Sequence, residues 1–253
     1  MSDCRSVSVP VPLAVAAPSR ATKREQRLTL ALVAVGMFMA VLDSTIVNVA
    51  LPAMRTSLGA TVAELAWIVD AYTLSFAALI LAGGALSDRF GAKRVYLAGL
   101  ALFVGASAAC GVASSVAILV AARFVQGMGA ALFLPASLAI VRSTFDVPAE
   151  RARAIAVWAG IASVAVAVGP VLGGILVDDL GWRSAFLINV PTGAVAFAGA
   201  AALVRASVAR DVRHFDWAGQ CVGAAALGAL CFAVIELPTR GAGATEVRAA
   251  LLI

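Results

Sequence analysis

Charge is scarce in this sequence. Asp, Glu, Lys and Arg make up 13% of its 253 residues, hydrophobic residues make up 62%, and the mean hydropathy is +0.99. A soluble domain carries about 25% charged and 45 to 50% apolar residues, so a soluble globular class is excluded. Histidine is nearly missing as well: His214 is the only one, and no metal-binding or nucleophile cluster accompanies it, which leaves an enzyme without support and predicts no catalytic residue and no metal site. Cysteine is equally uninformative, with Cys4 in a polar tail and Cys110, Cys221 and Cys231 inside apolar segments, at no metal-like spacing. Basic residues outnumber acidic ones, 19 to 14. A nucleic-acid surface would gather them on one solvated face, whereas here they lie between apolar runs, so no nucleic-acid partner is expected.

Long apolar runs stand where the charge does not. A bilayer-spanning helix needs about 20 mostly apolar residues, and such runs fall at 28–52, 65–87, 95–115, 116–141, 154–177, 184–204 and 217–236. They predict an all-α, polytopic membrane protein with seven spans whose partner is the lipid bilayer of the cell (plasma or inner) membrane. An eighth apolar run opens at Val247 and stops at Ile253, too short to cross, so the chain is expected to end inside a truncated eighth helix. Residues 1–27 hold Pro10, Pro12 and Pro18 and the basic set Arg20, Lys23, Arg24 and Arg27, before an apolar run too long for a signal-peptide core. The expected division is a disordered, uncleaved cytoplasmic leader at 1–27, a six-helix bundle at 28–204, a cytoplasmic loop at 205–216, and helix 7 with the start of helix 8 at 217–253.

Orientation follows from Lys and Arg, which short cytoplasmic loops retain. Fourteen of the nineteen fall in one alternate set of segments and four in the other, with Arg123 left inside a span. The amino terminus is therefore expected on the cytoplasmic side. Trp67, Trp182 and Trp217 sit near helix ends, where amphipathic rings favour the interface.

The loop between spans 2 and 3, GGALSDRFGAKR, sets Asp88, Arg89, Lys93 and Arg94 close together in an otherwise apolar region. Charge alone makes it a positive-inside anchor with a glycine turn. Its spacing says more: Gly84, Leu86, Asp88, Gly91 and Lys93 recur as Gly174, Leu176, Asp178, Gly181 and Arg183, each 90 residues later. A displacement of three spans reverses the direction of crossing, so the pattern predicts two inverted three-helix repeats, an architecture of secondary transporters.

The residues around that loop resemble the major facilitator superfamily. Gly84-Ala-Leu-Ser-Asp88-Arg89-Phe-Gly91-Ala92-Lys93-Arg94 is similar to the family's loop signature, Arg123-Phe-Val-Gln126-Gly127-Met-Gly129 to that of helix 4, and Gly169-Pro170-Val-Leu-Gly173-Gly174 to the helix 5 signature associated with antiporters. Leu42-Asp43-Ser-Thr-Ile-Val-Asn48-Val-Ala-Leu-Pro52, and Gly181-Trp182-Arg183 followed by Ile188-Asn189-Val190-Pro191, resemble the fourteen-helix drug:proton antiporter branch (EmrB/QacA type), as does the short loop at 205–216. The pattern departs at Ala92, Ala165 and Ser184, where the family favours a basic residue, a glycine and an aromatic. The resemblance implies the amino-terminal half of such a transporter. It also implies a latch at Gly84, Asp88, Arg89, Gly91, Lys93 and Arg94 that stabilises one access state, and a role for Arg123 in proton coupling. Asp88 and Arg89, at the end of helix 2, are placed to pair with neighbouring basic residues such as Arg142 or Arg151, or to cap another helix end.

Ionisable groups inside a span cost roughly 2.5 to 3.5 kcal/mol each on insertion scales, so they mark function by default. Asp43, Asp70 and Arg123 lie about 13, 8 and 10 Å from the outer ends of their spans at 1.5 Å per residue, and thus share a level. Helical spacing places Gly36, Ala40, Val47 and Ala50 on the face of Asp43, and Gln126, Gly127, Ala130 and Ser137 on that of Arg123. One guanidinium cannot balance two buried carboxylates, so Arg123 is expected to neutralise one while the other, taken out of water, accepts a proton. The alternatives are a polar network that binds helices 1, 2 and 4 and never titrates, or an Asp70 simply wet at the outer edge. In helix 5, Gly160, Gly169, Gly173 and Gly174 are expected to allow close helix approach and Pro170 a bend, while Met37, Phe38, Met39 and Phe133 are candidate contacts for a drug.

The expected function is proton-coupled export of drugs or other amphipathic or cationic small molecules, driven by the proton gradient without a cofactor. A channel is disfavoured because neither a broken-helix filter nor a ring of like charges is present. The competing reading is a truncated, non-transporting half that pairs with a second half-transporter or comes from a pseudogene, since alternating access needs two bundles.

Overall fold

The computed structural model describes residues 22–205, 217–240 and 250, and every regular element among them is helical: α1 Lys23–Leu58, α2 Val62–Phe90, α3 Ala92–Gly111, α4 Val116–Thr144, α5 Pro148–Leu180, α6 Ser184–Leu187, α7 Asn189–Leu203 and α8 Trp217–Arg240. Seven stretches are long and apolar enough to cross a membrane, with α6 and α7 together forming the sixth. The helices outrun the apolar runs because polar caps lie beyond them. Thr22 caps α1 and Thr61 caps α2, each in a capping box with the glutamate three residues on, Glu25 and Glu64. The first box corrects the expected leader: Lys23 to Arg27 belong to α1, not to a disordered segment. The sixth span, Ser184–Leu203, runs on through Ile188 with helical dihedrals, φ −61° and ψ −28°, between the single turn α6 and the longer α7; Pro191 has no N–H to give the Leu187 carbonyl, so the ladder is one bond short there. The expected loop 206–216, the first 21 residues and the short run at Val247, apart from helical Ala250, lie outside the described residues.

The inverted repeat is written in the backbone. Gly91 and Gly181, 90 residues apart, both have positive φ, 90° and 80°, and both close a helix by donating their N–H four residues back, to Ser87 and to Val177. A side chain is strained at such φ values, so the two glycines end α2 and α5 by one shared device. Helix pairing follows the same rule. Carrying α1 onto α4 and α2 onto α5 turns the extensive α2–α4 contact into the α1–α5 contact. Gly83 sits backbone to backbone on Ala131 of α4, and its counterpart Gly173 rests on Ile46 and Val49 of α1. Small residues let helices approach where lipid gives no hydrophobic drive between them. Outside the repeat, α8 lies along α2 through Gly228 against Ala78 and Phe232 beside Trp67.

Buried apolar side chains form two clusters, one around Tyr96, Phe103, Phe133 and Ile140, the other around Leu42, Ile46, Leu119, Trp182 and Phe186. The boundary between them crosses the six spans of the repeat at a consistent level: between Ala40 and Leu42 in α1, Ile68 and Tyr72 in α2, Phe103 and Cys110 in α3, Ala122 and Ala130 in α4, Ala154 and Ala165 in α5, and Phe186 and Ala196 in α6 and α7. Trp182, expected at the interface, is instead buried in the second cluster, edge-on to Phe186 and beneath the Arg183 guanidinium, 4.3 Å from its ring.

Candidate functional site

A polar layer fills that boundary. Asp43 of α1 is 1% exposed and Arg123 of α4 1% exposed, and Arg123 Nη1 donates to Asp43 Oδ2 at 2.5 Å. Arg123 also donates from Nη1 to Gln126 Oε1 at 2.7 Å and from Nε to the Ile68 carbonyl of α2 at 3.1 Å. Its guanidinium lies 4.3 Å from the centre of the Tyr72 ring, a cation–π contact that strengthens when water is excluded. The Gln126 amide donates to Asp43 Oδ1 at 2.8 Å and to Ser107 Oγ of α3 at 2.7 Å. The Asn189 amide of α7 donates to the same two acceptors, at 2.9 and 3.2 Å. Asp43, Ser107, Arg123, Gln126 and Asn189 are all buried, so one continuous network ties α1, α2, α3, α4 and α7 at a single depth.

An ion pair in such a place loses both hydration shells and is worth less than its Coulomb attraction suggests. Apolar side chains of the same volume would often hold a fold as well or better, whereas removing one partner alone costs about 3 to 5 kcal/mol. Both carboxylate oxygens here accept hydrogen bonds, which is what a charge buried this deeply requires.

The structure brings together Asp43, Arg123 and Gln126 as expected, and it buries the small partners Gly36, Ala40, Val47 and Ala50 behind Asp43 and Gly127, Ala130 and Ser137 beside Arg123. It corrects the picture of two buried carboxylates competing for one guanidinium: Asp70 is only half-buried, whereas Asp43 is enclosed. Ser107, Asn189, Tyr72 and the Ile68 carbonyl were missed. Asn189 carried a usable signal, since an amide inside an apolar span needs a partner. Ser107 carried none, because a serine in a span can satisfy itself on its own helix.

In helix 5 the stripe Ala165, Gly169 and Gly173 is buried against α1, and a methyl on Gly169 would run into Thr45, two residues past Asp43. Gly160 and Gly174 correct the expectation of close approach: a methyl on either would meet nothing within 4 Å. Pro170 lies inside α5 on its exposed side. Phe133 is a core residue, edge-on to both Tyr96 and Phe103, and Met39 is buried in the same cluster; Met37 and Phe38 are half-buried.

The loop residues lie at the far ends of α2 and α3. Gly84, Ser87, Asp88, Ala92, Arg142 and Arg151 line a cavity of about 580 Å³ between α2, α3, α4 and α5. Asp88 is exposed and, among the described residues, makes no ion pair with Arg142 or Arg151, contrary to the pairing expected. Arg151 instead donates to the carbonyls of Phe145 and Asp146, at 2.9 and 3.3 Å. Lys93 Nζ donates to the Ala201 carbonyl of α7 at 2.7 Å, Arg89 lies over the Phe90 ring, and Arg94 is exposed.

Comparison with known proteins agrees with this architecture. Residues 33–220 match the family model of the Major Facilitator Superfamily. The chain is 44% identical over 212 residues to the methylenomycin A resistance protein of Bacillus subtilis (strain 168), covering 84% of this chain and 45% of that protein. It is 44% identical over 218 residues to the multidrug resistance protein Stp of Mycobacterium tuberculosis (strain CDC 1551 / Oshkosh), covering 86% and 41%. With the tetracenomycin C resistance and export protein of Streptomyces glaucescens it shares 40% identity, covering 85% and 40%. The chain thus spans less than half the length of these relatives. A crystal structure of the peptide transporter POT in complex with sulfate superposes with a TM-score of 0.67 over 93% of this chain and 51% of that one, at 18% identity, a likeness of fold alone.

Proposed function

Because this chain belongs to the Major Facilitator Superfamily, and is a multi-pass membrane protein, we propose that it supplies the first bundle of a proton-coupled exporter of drug-like amphipathic or cationic molecules, in the fourteen-helix drug:proton antiporter branch. The amino terminus faces the cytoplasm in this reading. The observation that carries it is the buried Asp43–Arg123–Gln126 network, which costs insertion free energy and gives little stability that apolar packing would not. The relatives named for resistance or export supply the substrate class.

Asp43 is the proton-exchanging carboxylate. In its ionised form it holds Arg123 and thereby ties α1 to α4; a proton on Asp43 cancels that attraction and frees the two helices to change their packing. No cofactor is needed, because one charge crossing 100 mV supplies about 2.3 kcal/mol, roughly fifty-fold accumulation per proton. The loop at Gly84, Asp88, Arg89, Gly91, Lys93 and Arg94 acts as the latch of one access state, and Gly169, Pro170, Gly173 and Gly174 form the segment of α5 that moves against α1.

The test uses cells expressing the full reading frame that contains these residues, with Asp43→Asn compared to the unaltered protein and with an uncoupler present or absent. Loss of uncoupler-sensitive drug efflux is expected, and efflux that keeps its dependence on the proton gradient would remove Asp43 from the mechanism.

A further inference from the structure

Every contact made to the Asp43 carboxylate comes from a donor: Arg123 on Oδ2, the Gln126 and Asn189 amides on Oδ1. That arrangement fits a carboxylate and not the acid. The three donors are not equivalent. Arg123 and Gln126 sit one turn apart on α4 and are bonded to each other, and Arg123 is further fixed by the Ile68 carbonyl and the Tyr72 ring. Asn189 stands on a separate element. It is the first residue of α7, and the backbone runs through Ile188 before it in helical conformation, φ −61° and ψ −28°. Two residues further on, Pro191 has no N–H to give the Leu187 carbonyl, so the ladder is one bond short beside Asn189, and a bend there would withdraw its amide from Oδ1 without moving the two α4 donors.

We propose that Asn189 is a positioning residue for proton exchange: its amide, steadied on Ser107, keeps Asp43 ionised, and its withdrawal by a bend where Pro191 leaves the helix ladder one bond short admits a proton from the aqueous side onto Oδ1. The arrangement makes the sixth span the element that decides when Asp43 can be loaded. The charged and titratable groups around Asp43 are Arg123 from α4, Tyr72 from α2 and Cys110 from α3, whose Sγ lies 3.8 Å from Gln126 Oε1.

This inference rests on the reading of Asp43 as the proton acceptor, but it fails separately, because its test needs no drug. The probe is dicyclohexylcarbodiimide, an apolar reagent that modifies carboxyl groups in their protonated form, applied to the purified chain in lipid nanodiscs near neutral pH, with modification at Asp43 read by peptide mass spectrometry. Asn189→Ala is expected to raise the rate of modification about ten-fold, the effect of losing one hydrogen bond to a charged group. Asn189→Ser, which keeps a hydroxyl donor, brings the rate part of the way back. Gly193→Ala, one turn further along α7, crowds Val104 and Met39 without touching the network and leaves the rate unchanged. An unaltered rate in Asn189→Ala, or an equal rise in Gly193→Ala, overturns the proposal. Should Asn189→Ala fail to fold, Ser107→Ala removes the hydroxyl that both amides share; a rise of several-fold is expected there, and none would overturn the proposal equally. Efflux that survives Asp43→Asn with its gradient dependence would instead bring down the underlying reading.

Discussion

The two three-helix units, α1–α3 and α4–α7, share a backbone plan and differ in chemistry. Both close their second helix on a positive-φ glycine, and both lay that helix on the first helix of the other unit. Yet the position equivalent to Asp43 in the second unit is Phe133, and the position equivalent to Arg123 in the first is Val33, each a fully buried core residue. A duplicated frame thus holds opposite charges at unmatched positions, and the ion pair forms only where the units meet. Backbone geometry is constrained everywhere by the same hydrogen-bonding demand in lipid, so it keeps the symmetry. Charge answers to one site and does not.

The comparison breaks outright if the inversion is wrong. In a cysteine-free background, Arg94→Cys and Asp179→Cys, both exposed, one at the start of α3 and the other near the end of α5, should react with a membrane-impermeant maleimide from opposite sides of the membrane; modification from one side only would end the inverted-repeat reading. The next largest effect concerns the unmatched charges. Arg123→Ala should destabilise the bundle by about 3 to 5 kcal/mol by leaving Asp43 unpaired, with part of the loss recovered in Asp43→Ala/Arg123→Ala, measured by thermal unfolding in detergent. Independence of the two substitutions would mean the pair is not one unit. A smaller effect sharpens the symmetry at the helix contacts. The methyl of Gly83→Ala meets the Ala131 backbone and should cost about 1 to 3 kcal/mol. That of Gly173→Ala sits 3.3 to 3.4 Å from Val49 and Ile46 and should cost less than about 1 kcal/mol. Equal costs would show that the two contacts are as alike in packing as in topology.

Much of this architecture could be read from the chain before any coordinates. Spans declare themselves because hydrocarbon selects composition, and the 90-residue echo of Gly91 in Gly181 declares itself because only glycine tolerates that φ. Asp43 and Arg123 stood out because charge in a span is rare. Asn189, an amide in an apolar span, signals a need for a partner in the same way but does not say which, and Ser107 signals nothing, since whether an amide or hydroxyl turns to its own helix or to a neighbour is decided by packing. The difference between Gly173, where an added methyl would meet α1, and Gly174, where it would meet nothing within 4 Å, is likewise a matter of helix rotation that composition cannot express. The extent of α1 was misjudged for a simpler reason: Thr22 and Glu25 form a start signal that is polar, and it sits outside the apolar run.

The two greasy clusters on either side of the polar layer have an electrical consequence. Apolar side chains above and below Asp43 set its charge in a low-dielectric layer between two clusters, where Coulomb forces act at several times their strength in water. In the exporter proposed above, each proton taken up by Asp43 has to pass one of those clusters through a change of helix packing, in the manner of a canal lock.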